Sequence, residues 1–143
     1  GPILAIGGGS GLAPMKAIVE EALAQGETQP IHLYAGARDE PDLYLLDHFR
    51  ALMDRHAHFR FVPVLSDPSQ ATAHRTGLLP DAVAADFPAA TTCEAYLAGP
   101  PPMVEACVDK LAALGMPAEQ MHADAFISEA ERRRRAAAVQ AKT

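Results

Sequence analysis

Cysteine is scarce in this chain. Two thiols, Cys93 and Cys107, occur in 143 residues. They form no CxxC pair, and no second pair exists to complete a zinc or iron–sulfur ligand set. Their apolar neighbours make plain buried thiols the expectation, and with it a reducing, cytoplasmic compartment. No apolar run approaches the ~20 residues of a membrane-spanning helix. The first residues carry no basic stretch followed by an apolar signal core. Positive charge is in deficit, at a formal net charge of −6. That argues against a general binder of nucleic acid or anionic membrane. No segment has the composition of a disordered tract, and no internal repeat is visible.

What is present is a chain that is 49% hydrophobic by type, enough for one domain with a sizeable core. Its apolar residues alternate between strand and helix periods. Pro2 to Ile6 is a short apolar run stopped by glycines. Leu12, Met15, Ile18, Val19, Ala22 and Leu23 share one helical face that Gly26 can end. Ile31 to Ala35 reads as a second strand. Pro41 suits the first turn of a second helix bearing Leu45, Phe49 and Leu52. Phe59 to Leu65 is a third strand, Asp67 to Pro80 is loop-like, and Pro80 can open a short helix through Phe87. Ala95 to Ala98 is a fourth strand. Val104, Cys107, Val108, Leu111 and Leu114 form the next helical face, closed by Gly115. Met121 to Phe126 is a last, short strand. The predicted fold class is therefore α/β, a five-stranded parallel sheet in order 3-2-1-4-5 with helices on both faces. Ligands of such sheets bind at the carboxyl ends of the strands. This directs attention to residues 7–14, 35–39, 66–70 and 98–103.

The first of these turns reads Gly7-Gly8-Gly9-Ser10-Gly11-Leu12-Ala13-Pro14. Glycines permit positive φ and close backbone approach, and the helix that follows points unpaired N–H groups at whatever occupies the turn. Ser10 adds a hydroxyl donor, and Pro14 takes a first-turn position that needs no N–H. A Walker A loop would need Gly-Lys-Ser/Thr, and Lys16 stands too far beyond Gly11. A nucleophile elbow on Ser10 would need glycine where Leu12 stands. A standard GxGxxG starting at Gly9 would end at Pro14, and Gly36 occupies the place of the acid that such a fold wants after its second strand. A tight turn without a ligand is the plain alternative.

The stretch GGGSGLAPM resembles the Gly-Thr/Ser-Gly-x-x-Pro turn of the ferredoxin–NADP reductase superfamily. Further likenesses follow in order. Tyr34-Ala35-Gly36-Ala37-Arg38 with Asp42-Leu43-Tyr44 resembles YxGxR…DLY. Phe61 to Asp67 resembles FxPVLS(E/D), and Ala98-Gly99-Pro100-Pro101-Pro102-Met103 resembles CGPPxM. Ala123 to Phe126 resembles the family's terminal aromatic segment. The chain is most similar to reductase components of aromatic-ring dioxygenases and other multicomponent oxygenases. The resemblance implies a Rossmann-like NAD(P)H-binding domain over 1–127, followed by a helix-prone or flexible tail over 128–143. It implies NADH as hydride donor, FAD as acceptor, a 2Fe–2S ferredoxin domain beyond the flavin, and a terminal oxygenase as partner.

By the same resemblance, Gly9, Ser10, Gly11 and Pro14 belong to the pyrophosphate turn. Gly36, Ala37 and Arg38 face the adenosine side, with a solvated surface arginine as the plain alternative for Arg38. Ser66 and Asp67 follow the third strand. Asp67 would accept from the adenosine ribose hydroxyls, or else make an Asx turn ahead of Pro68. Ala98, Gly99, Pro100, Pro101 and Met103 face the nicotinamide, or else open an ordinary helix. Phe126 would lie against the flavin, or else edge the core. The family often has cysteine where Ala98 stands, so one candidate catalytic group is missing, and no catalytic residue is assigned to this chain. His56 and His58 near Asp54 lack a third ligand, so no metal is expected. Arg132 to Arg135 reads as a solvated helical face, or a docking site for an acidic partner. Neither the family's Arg-x-Tyr-Ser/Thr flavin motif nor its Cys-x4-Cys-x2-Cys cluster loop occurs. The expectation is a piece of a longer flavoprotein, inactive alone. A self-contained dehydrogenase or a non-catalytic dinucleotide sensor are the alternatives.

Overall fold

The computed structural model describes residues 1–90 and 92–125. The chain begins with β1 (Ile3–Gly8), a 3-10 turn (Gly9–Gly11) and α1 (Leu12–Ala24). It continues through β2 (Ile31–Ala37), a 3-10 turn (Glu40–Asp42), α2 (Leu46–Arg55), β3 (Phe59–Leu65) and β4 (Arg75–Thr76). Then come α3 (Leu79–Asp86), β5 (Glu94–Gly99), α4 (Pro101–Ala113), a 3-10 turn (Ala118–Gln120) and β6 (Met121–Ala125). All strand pairs are parallel, in the order β4-β3-β2-β1-β5-β6. The α/β class and the order of the five expected strands hold.

The strand count is corrected from five to six. The added strand is β4, within the segment read as loop. Its two residues pair with Val64 and Leu65, and Gly77 N–H donates to the Leu65 carbonyl at 2.9 Å. Two residues are too few to show any period, so nothing in the apolar pattern announces this edge. Pro41 is also corrected: it sits in the Glu40–Asp42 turn, and α2 starts only at Leu46. The Asp39 carboxylate accepts from Glu40 N–H at 2.8 Å, and the Asp42 carboxylate accepts from Asp39 N–H at 3.3 Å. Leu43 then leaves the turn in extended conformation, at φ −76° and ψ 134°. Phe126 and the 128–143 tail lie outside the described residues.

The sheet separates two cores by simple alternation. On one face Leu4, Ile6, Tyr34 and Leu97 pack beneath Leu79 and Val83 of α3 and Val104, Cys107 and Leu111 of α4. On the other, Ala5, Leu33, Ala35 and Phe61 meet Leu12, Met15 and Val19 of α1 and Phe49 and Leu52 of α2. Phe49 is fully buried and stacks on Phe61 with ring centroids 4.9 Å apart. Side chains of this size contribute about 1.5–3 kcal/mol each when fully buried. Cys93 and Cys107 are reduced and buried, and burial pushes the Cys107 thiol up to about 12. Among the described residues no helix is long and apolar enough to cross a membrane.

Candidate functional site

Successive strands are added from β1 outward through β2 and β3, and later from β1 the other way through β5 and β6. The chain therefore reverses its direction of travel beside β1, and in open parallel sheets the ligand crevice opens at such a point. A cleft of about 720 Å³ lies there, lined from the carboxyl ends of β1, β2 and β3, the entry to α3 and the entry to α4. Small-molecule clefts span about 300–1,000 Å³.

Of the residues singled out from the sequence, Gly9, Gly36, Ala37, Arg38, Ser66, Pro100 and Met103 line this cleft. Ser10, Gly11, Pro14, Asp67, Ala98, Gly99 and Pro101 are not on its wall. Gly11, Ala98 and Gly99 are buried behind it. A Cβ on Gly11 would stand 2.1 Å from the Ala98 carbonyl oxygen, so glycine is needed for β1 and β5 to close up beneath the turn. Gly9 differs. Its φ is +55°, and no atom lies within 4 Å of where its Cβ would be. The turn there is open to a ligand, in a conformation glycine adopts freely.

No side chain caps the Gly9–Gly11 turn or α1, and α3 and α4 likewise begin without a side-chain cap, at Leu78 and Pro100. At α4 the prolines Pro100, Pro101 and Pro102 carry no N–H, and Met103 N–H donates to the Pro100 carbonyl at 3.0 Å, so that helix start offers the cleft no free N–H. The helix starts that keep free N–H groups, and with them partial positive charge suited to an anion, are the Gly9–Gly11 turn and α3.

The β2 and β3 ends are tied beyond the strands themselves. Ser66 N–H donates to the Ala37 carbonyl at 3.0 Å, and Asp67 N–H to the Arg38 carbonyl at 2.8 Å. The side chains of Arg38 and Asp67 approach to 3.6 Å, both largely exposed at 79% and 72%. Such a pair contributes at most about 1 kcal/mol to stability.

Gly77, Leu78, Leu79 and Pro80, which the sequence marks only as loop and helix start and not as site residues, form the outer rim. Leu78 is 60% exposed, a large apolar side chain left in solvent at the cleft mouth. The rim is held by polar contacts from behind. Arg75 donates to the Asp86 carboxylate at 2.7 Å and to the Ala82 carbonyl at 3.0 Å. The buried Tyr34 hydroxyl donates to the same carboxylate at 2.5 Å. The Arg75 hydrogen bond holds the Asp86 carboxyl below its usual range, with Tyr34 adding to it. Burial, then the adjoining Asp86, drives the Tyr34 phenol well above its ordinary value.

Residues 5–109 match the model of the oxidoreductase NAD-binding domain. The chain belongs to that family. It is 41% identical over 126 residues to the ferredoxin–NAD(P)+ reductase component of naphthalene 1,2-dioxygenase/salicylate 5-hydroxylase systems of a Ralstonia species. That alignment takes in 88% of this chain and 38% of the relative. The aromatic O-demethylase reductase subunit of Amycolatopsis sp. (strain ATCC 39116 / 75iv2) is also 41% identical, over 88% of this chain and 37% of that one. Among solved structures, the Amycolatopsis cytochrome P450 reductase superposes with a TM-score of 0.83 at 41% identity. It is matched by 88% of this chain over 38% of its own length. The ferredoxin reductase in carbazole 1,9a-dioxygenase gives a TM-score of 0.76 at 31% identity, over 88% and 38%. The chain thus spans well under half the length of these relatives.

Proposed function

We propose that the cleft binds NADH and presents it to a flavin carried outside this chain, within an NADH-dependent reductase that serves an oxygenase. The observation that carries the reading is the open, uncapped glycine turn beside a cleft of ligand size at the reversal point of the sheet. The family match and the named relatives support it. Bound NADH would supply a hydride, and the chemistry of transfer belongs to the cofactors.

The chain's own residues have narrower tasks. The turn at Gly9–Gly11 holds the pyrophosphate, with Ser10, exposed at its centre, as an added donor. Pro100 and Met103 border the nicotinamide half, and Ala98 and Gly99 support them from behind. Arg38, Ala37 and Ser66 border the adenosine half. Asp67 stands beside Arg38 and offsets its charge, so a 2′-phosphate arriving here meets a carboxylate as well as a cation. Two unit charges ~5 Å apart repel by about 3 kcal/mol at an effective dielectric of 20. NADH is therefore preferred to NADPH. Among the described residues no three His, Cys, Asp or Glu side chains gather as a metal site, and both thiols are buried. The flavin and cluster domains and the terminal oxygenase are taken as partners of this unit on the strength of the named relatives, with a reducing cytoplasmic compartment as their setting. The NAD-binding unit extends over 1–127.

The test is titration of the chain with NADH and with ADP-ribose, followed by NADH oxidation with ferricyanide in flavin-free buffer. Both nucleotides should bind with nearly equal, weak affinity, and no turnover should occur until the flavin domain is supplied. Turnover by the chain alone would replace this reading with that of a self-contained dehydrogenase. Absence of nucleotide binding would end it.

A further inference from the structure

The open glycine turn is braced by a side chain from far along the sequence. The Tyr44 hydroxyl donates to the Gly9 carbonyl at 2.8 Å, across 35 residues. That carbonyl already accepts Leu12 N–H, the bond that closes the Gly9–Gly11 turn. Tyr44 therefore adds a second donor to a carbonyl whose local pairing is complete. The tyrosine remains 41% exposed, so its ring is not there to fill a core.

The backbone around Tyr44 is shaped to deliver it. The reciprocal Asp39 and Asp42 contacts fix the turn before it. Leu45, directly after it, sits at φ +60°, a left-handed conformation that a leucine rarely adopts. Leu45 and Leu46 then pack against the core, and the Leu45 carbonyl accepts Phe49 N–H at 3.0 Å. An unfavourable backbone angle persists where its surroundings over-determine it, and such angles gather at functional sites. Here the angle lets the chain pass into α2 while Tyr44 stays out against the glycine turn.

The consequence follows from peptide geometry. The carbonyl of Gly9 and the N–H of Ser10 belong to one planar trans peptide and point in opposite directions. Fixing the carbonyl fixes the N–H. Gly9 is the residue whose freedom most threatens that orientation, because it has no side chain and no atom lies within 4 Å of where a Cβ would stand. We propose that Tyr44 is a positioning residue for the anion-binding turn, clamping the Gly9–Ser10 peptide so that its N–H is set before a phosphate arrives. The gain is pre-organisation: the bound ligand need not order the turn itself. The proposal rests on the reading of the cleft as a dinucleotide site.

The experiment is calorimetric titration of the chain and of Tyr44→Phe, with adenosine and with ADP-ribose as the two probes. Phenylalanine keeps the ring and removes the donor. ADP-ribose should bind the variant about fivefold more weakly, the scale of one neutral hydrogen bond. Adenosine, which has no phosphate, should bind both proteins alike. Equal loss for the two ligands, or no loss for either, would overturn the positioning role and leave the nucleotide reading standing. If the unaltered chain bound ADP-ribose no better than adenosine, the nucleotide reading itself would fall, and this proposal with it.

Discussion

The two sides of the cleft are backed by different material. Behind the side where β1 and β5 end, backbone rests on backbone: Gly11 lies so near Ala98 that a methyl group would overlap its carbonyl. Where β2 and β3 end, exposed side chains face each other, and Arg38 and Asp67 pair at 3.6 Å in solvent. Beyond them the Leu78 rim depends on a polar relay from Arg75 through Asp86 to Tyr34. Behind the first side, the Gly11–Ala98 contact admits no side chain without moving the sheet. The second can change its charge with little cost to the fold. A dinucleotide suits this division, because its pyrophosphate is invariant while its adenosine end comes with or without a 2′-phosphate.

The largest effect expected from this contrast lies inside the glycine turn. Gly11→Ala should destabilise the chain by about 3 kcal/mol, because the methyl group meets main-chain atoms that cannot rotate away. Gly9→Ala has open space and carries only the penalty of positive φ, about 1 kcal/mol. Urea unfolding of the two variants checks the ordering. Equal losses would mean that the turn is one strained unit, and that the buried backbone contact does not set that side apart.

Legibility in the sequence follows the same division. Gly9 to Gly11 and Pro100 to Met103 are legible because special backbone demands select glycine and proline, which stand out in any reading. The five longer strands are legible because each runs several residues in one apolar pattern. The Leu78 rim is not. Its strand is two residues long, and an apolar residue in a loop resembles a core position. The contacts among Tyr34, Arg75 and Asp86 join three elements that no local spacing relates. Tyr44 appears in the sequence within a family-like stretch, but its bond to Gly9 depends on the unusual Leu45 angle, which side-chain type does not disclose.

An intermediate effect is expected at that relay. Asp86→Asn leaves Arg75 without its anion and should cost about 1 kcal/mol near neutral pH, modest because both side chains are a third exposed. Its pH dependence has a definite sign. Arg75, then Tyr34, lowers the Asp86 carboxyl below 3.8 in the folded chain. The pair therefore stabilises above the unfolded carboxyl value, and that contribution is lost as pH falls through the lowered folded value. Denaturation midpoints of the chain and of Asp86→Asn should converge below about pH 4. A gap that persisted on acidification would show that the carboxylate charge is not what holds the rim.

The smallest effect on stability, and the sharpest on selectivity, is expected at Asp67. Its side chain is 72% exposed and its partner Arg38 is 79% exposed, so Asp67→Ser should shift stability by no more than about 0.5 kcal/mol. The substitution removes the carboxylate and releases the guanidinium at once. A 2′-phosphate would then meet an unopposed cation where it formerly met a neutralised one. The NADH-over-NADPH affinity ratio should fall about tenfold, less than the unscreened pair repulsion because both groups are in water. Arg38→Ala in the Asp67→Ser background should weaken NADPH again and leave NADH nearly unchanged. Calorimetry of the single and double variants with both nucleotides, repeated at high salt, measures the coupling directly. A ratio that ignored Asp67 would place the adenosine ribose elsewhere along the cleft. The variable wall would then be the Leu78 rim, and the Arg38–Asp67 pair would be an ordinary surface contact.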